Sequence, residues 1–116
     1  MQSRAWYIVL SIFMMGLAGC CDNEVDQVVL SPSGARMAVM FNRNCGATTG
    51  FNTQISIVPR ANSSPDGVGN ALILSDHMPL QMRWVSDSEL RVSGLGTATV
   101  VIRNAMVNGV SITYTQ

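Results

Sequence analysis

The chain alternates. After residue 24, short apolar runs of period two are cut about every ten residues by Pro, Gly, Asn, Asp and Ser. Successive side chains of a strand point to opposite faces, so period two marks a strand where an amphipathic helix needs period 3.6. Met37, Val39 and Phe41 share one face of such a run. Ile55 and Ile57 share one face of the next, with Gln54 and Ser56 opposite. Ser31-Pro32-Ser33-Gly34 and Asn108-Gly109 carry hairpin-turn chemistry: proline presets φ, and Asn and Gly accept positive φ. About seven or eight strands follow, with no helix after the first 20 residues. The fold class expected is all-β, a small antiparallel β-sandwich or barrel-like sheet, best pictured as two sheets packed face to face. Its core should also hold Leu72, Leu74, Met82, Trp84, Leu90, Val92, Val100, Ile102 and Ile112, which keep the apolar phase of their runs.

The first 19 residues break this pattern. Arg4 precedes an apolar run from Ala5 to Met15, too short for a comfortable membrane span of ~20 residues and typical of a signal peptide. Leu17-Ala18-Gly19-Cys20 resembles a bacterial lipobox, in which the cysteine thiol receives a diacylglycerol and the peptide is cut before it. The resemblance implies a cleaved signal peptide over 1–19, a lipid-anchored tether over 20–24 and one β domain over 25–116. Each buried CH₂ of an acyl chain contributes ~0.8 kcal/mol, and two or more chains hold a protein stably at a membrane. Cys21, not Asp, follows Cys20, so the resemblance carries no inner-membrane retention mark. It implies a lipid-anchored protein of the bacterial cell envelope, on the outer membrane facing the periplasm in a Gram-negative source.

Composition narrows the function. All seven basic residues are arginines, set singly along the chain, and the formal net charge is zero. Nucleic-acid binding by counterion release needs clustered positive charge, so no nucleic-acid partner is expected. Three cysteines and one histidine lack metal-ligand spacing. Gly94 and Gly96 join two strands rather than a strand and a helix, which is no phosphate loop. Neither a metal nor another cofactor is expected. Met37 and Met82 sit on apolar strand phases as core residues do.

Phe41 to Gly50 is the densest polar stretch. Ser31-Pro32-Ser33-Gly34, Ala38, Phe41, Arg43, Cys45-Gly46-Ala47-Thr48-Thr49 and Gln54-Ile55-Ser56-Ile57 together resemble a family of small bacterial lipoproteins and membrane-anchored proteins. Cys21-Asp22-Asn23-Glu24, Gly69-Asn70 and the segment from Trp84 to Leu90 fit it too. Ser33 stands where that family commonly has Asp. The resemblance implies an envelope location and an all-β fold, and brings no activity with it.

With Cys20 assigned to the lipid, Cys21 and Cys45 remain as an even pair in an oxidising compartment. A hairpin centred on Pro32-Ser33 puts Cys21 opposite roughly Asn44, so a Cys21–Cys45 disulfide is expected. It would present the Cys45–Thr49 loop on a rigid scaffold, with Arg43, Thr48 and Thr49 as candidate binding residues. The competing reading of the threonines is turn structure. No catalytic residue is assigned. The expected function is a non-catalytic binding module. Its partners are the membrane through acylated Cys20, and an envelope protein or cell-wall component through the loop. The alternatives are an enzyme using Cys45 as nucleophile, with His77 as the one histidine to pair with it, and a purely structural envelope component.

Overall fold

A computed structural model describes residues 21–46, 50–61 and 67–116. Among them are nine strands: β1 (Asp22–Leu30), β2 (Arg36–Asn44), β3 (Thr53–Pro59), β4 (Leu72–Leu74), β5 (Gln81–Ser86), β6 (Glu89–Ser93), β7 (Val100–Arg103), β8 (Met106–Val107) and β9 (Val110–Tyr114). No helix occurs among the described residues. The count exceeds expectation through β8, a two-residue strand whose hairpin to β9 turns on Asn108 (φ 49°) and Gly109 (φ 78°). Two positive φ values in succession are what a two-residue hairpin loop requires. Strand β1 starts at Asp22, so the tether expected over 20–24 is largely strand.

The strands form two sheets, ordered β1-β2-β3-β4-β7 and β5-β6-β9-β8. All paired neighbours are antiparallel except β6 and β9. That parallel pair is possible because residues 94–109 carry the chain out to β7 in the first sheet and back. A parallel connection needs such a crossover, and a tight turn cannot supply it. The outcome is a sandwich with one mixed sheet.

The main core lies between the sheets, where Ile55, Ile57, Leu72, Leu74, Leu90 and Val92 are fully buried. The register of β2 on β3 sets which β2 residues join them. Met40 faces Ile55 and Ala38 faces Ile57, so these two enter the core. Met37, Val39 and Phe41 are buried as expected, but on the other face of the sheet, in a second cluster with Val58. Gln54 and Ser56 share that face and are buried beneath residues 69 and 70, whose backbone amides they accept at 2.8 and 3.3 Å. Central strand β2 is therefore buried on both faces, which hides its phase from a one-face reading.

Val100 and Ile102 correct the expected core. They are 40% and 41% exposed. Strand β7 is the last of five strands facing a sheet of four, so it sits at the rim with only β4 beside it. Trp84 is half-buried against the core and donates its indole N–H to the Val29 carbonyl at 2.9 Å, tying β5 to β1. At the same end the β5–β6 turn grips the β1–β2 turn. Asp87 accepts the Ser33 amide at 2.9 Å, and the Arg36 guanidinium donates to the Asp87 carbonyl at 3.3 Å.

Two predictions follow from this packing. Leu90→Ala removes a fully buried side chain and should cost ~2–5 kcal/mol in urea unfolding. Val101→Thr, at a site 60% exposed, should stay within ~0.5 kcal/mol of the parent. Separately, the Ser33 backbone and side chain hold the Asp87 carboxyl below its ordinary 3.8. A folded-state pKa below the unfolded one favours the fold above pH 3.8, and that contribution disappears as pH falls through the folded value. Asp87→Asn should flatten the acid limb of a melting-temperature profile below pH 4; an unchanged limb would remove Asp87 as its source.

Candidate functional site

At the end of the first sheet opposite that turn, β1 begins, β2 ends and β3 begins. The β1–β2 pairing places Asp22 opposite Asn44. One residue further, Cys21 meets Cys45, and the two form a disulfide with Cα atoms 4.1 Å apart. Directly opposed residues in an antiparallel pair approach to about 4.5 Å when not hydrogen-bonded, so the bridge takes the place of another rung. The turn centres on Ser33-Gly34 rather than Pro32-Ser33, which by itself would set Cys21 opposite Gly46, and the one-residue register shift between Val25 and Gln27 brings it back to Cys45. That bulge leaves Asp26 without a partner across the strands. The bridge closes a segment of sequence separation 24, for which the chain-entropy model gives ~3 kcal/mol.

Beyond the bridge, asparagine side chains continue the ladder. The Asn52 carboxamide accepts the Arg43 amide at 2.9 Å and donates to the Arg43 carbonyl at 2.8 Å, standing in for a peptide group of β3. The Asn52 amide donates to the Asn42 side chain at 3.0 Å, and Gln54 donates to the Asn52 oxygen at 3.2 Å. Asn70 repeats the device on β3, pairing with both the amide and the carbonyl of Ile57 at 2.8 and 2.9 Å. A carboxamide carries one acceptor and two donors in peptide-like geometry, which is why Asn serves in both places. Gly69 beside it has no room for a side chain. A Cβ there would lie 2.8 Å from the Leu72 carbonyl oxygen and 2.9 Å from that of Ile55.

Arg43 is held within this network. Its guanidinium donates to the Asn23 oxygen at 2.8 Å, and the Asn23 nitrogen donates to the Gly67 carbonyl at 2.8 Å. Arg43 thus links β1, β2 and the segment that crosses the outer face. Of the other sequence-derived site residues, Cys20, Thr48 and Thr49 lie outside the described residues, as does the 1–19 segment. The loop stems are fixed nonetheless: Gly46 donates to Asn44 at 3.0 Å, and Asn52 donates to the Gly50 carbonyl at 3.2 Å.

The structure does not bring Cys45 and His77 together as a reactive pair. The Cys45 sulfur is in the disulfide, and the His77 ring meets Phe51 edge-on at 6.4 Å. Among the described residues no three His, Cys, Asp or Glu side chains gather as metal ligands would. Sequence reasoning anticipated the Cys21–Cys45 pair but not the network that Asn23, Asn52 and Gln54 build around Arg43. Their one signal is position, since amide side chains recur where these strands start.

The chain matches no family model, curated protein or solved structure with which it was compared.

Asn52→Ala should cost ~1–3 kcal/mol, because it removes the two hydrogen bonds that Asn52 makes with the Arg43 backbone. Thermal melts of Asn52→Ala and Asn42→Ala check this. Asn42→Ala should be the milder, because the Asn42 side chain gives Asn52 one bond where Asn52 gives Arg43 two.

Proposed function

We propose that the protein is a cell-envelope lipoprotein anchored through Cys20, and that its β domain is a non-catalytic binding module whose contact element is the Cys45–Thr49 loop. The observation that carries this reading is the disulfide together with the Asn52 clamp. Both stems of the loop are tied to β2, so a ligand need not supply the energy to order them. A scaffold that holds the stems of a loop so firmly suits recognition. Cys45 itself has no thiol left with which to attack a substrate, which weighs against the nucleophile alternative. Thr48 and Thr49 bring hydroxyls that both donate and accept, which suits a polar partner.

Cys20→Ser separates anchoring from folding. The variant should leave the membrane fraction, or persist as an uncleaved precursor, while keeping the melting temperature of its β domain. Unchanged detergent partitioning together with an unchanged mature mass would refute the anchor. For the loop, a double Thr48→Ala, Thr49→Ala variant should lose the contact, whether to lipid or to another envelope component, that crosslinking captures in intact envelopes. A folded variant that still captures it would move the contact elsewhere.

A further inference from the structure

We infer that the partner of the loop end is the lipid surface itself: the acyl anchor has no linker, so the disulfide-bearing end of the first sheet lies against the bilayer, with Phe51 reaching into the headgroup region. This rests on the acylation of Cys20 proposed above. Consecutive Cα atoms are ~3.8 Å apart, and Cys21, the next residue, is already locked to Cys45. Strand β1 starts at Asp22. The expected five-residue tether thus shrinks to the lipidated residue, and a diacylglycerol on Cys20 must sit at headgroup depth. The bridge also spreads the attachment over two strands, so the domain cannot swing on one frayed chain end.

The surface at that end suits such a position. Phe51 is 76% exposed, between Gly50 and Asn52 at the stem of the loop. Val68, 60% exposed, follows Gly67, which is bound to Asn23 one residue after Asp22. Val25 of β1 is 50% exposed. An exposed aromatic ring together with exposed smaller apolar side chains is the composition that settles at a membrane interface. Charge plays no part in the attraction: Asp22 and Glu24 are exposed here, and Arg43 is engaged with Asn23. Contact should therefore be insensitive to the fraction of anionic lipid, unlike that of a polybasic segment. A protein or cell-wall partner would need this end to be reachable, and the missing linker argues against that.

The experiment uses the mature protein purified from membranes and reconstituted into phosphatidylcholine vesicles with brominated acyl chains. F51W should lose about half its added emission relative to unbrominated vesicles, as a ring ~5–10 Å into the interface would. S33W, at the opposite end of the sheet, should lose none. In the parent protein, hydrogen exchange of residues 50–53 and 67–69 should slow on reconstitution compared with the soluble Cys20→Ser variant, a readout that needs no change at position 51. Acylated protein in which F51W stays as bright as S33W and exchange is unchanged overturns the inference and returns the loop to a protein or cell-wall partner. A mature mass without diacylglycerol overturns the anchoring reading and the inference with it.

Discussion

The Cys21–Cys45 bridge is the constraint on which the functional end depends. It continues the β1–β2 register by one rung and fixes the first of the described residues. Without it, β1 would be an edge strand ending in Asp22, Asn23 and Glu24, held at that end only by hydrogen bonds. Edge strands fray, and their unpaired amides invite wrong partners. The covalent rung prevents fraying where β1 is furthest from the hairpin turn. The bulge at Asp26 and the exposed carboxylates of Asp22, Glu24 and Asp26 make the open side of the strand a poor template for another chain.

From the bridge, order passes along β2. Its end is held by Asn52, its side by Arg43 and Asn23, and its outer face is capped near Gly69. Because β2 is buried on both faces, this network is continuous with both apolar clusters. At the opposite end, Asp87 and Trp84 tie the second sheet to the same hairpin, so β1–β2 is gripped at both ends by different chemistry.

Much of this was legible in the sequence. Alternation and turn residues foretold the all-β class, the Ser31–Gly34 and Asn108-Gly109 hairpins and the cysteine pairing. Other features were not. Met37, Val39 and Phe41 alternate with Ala38 and Met40, all five apolar, and period two cannot say which set meets the second sheet when both are buried. Val100 and Ile102 have the pattern of core residues, but exposure at a rim depends on how many strands the facing sheet has, a property of the whole topology. The ladder-mimicking asparagines read locally as turn residues, and their partners at Arg43 and Ile57 exist only once strands are in register.

The most direct test is the redox state of the two cysteines. Protein kept from reductant, denatured and alkylated, should show Cys21 and Cys45 joined in one peptide pair by mass spectrometry, and reduction should lower the melting temperature. Two alkylated, free cysteines at 21 and 45 in folded protein would contradict the account.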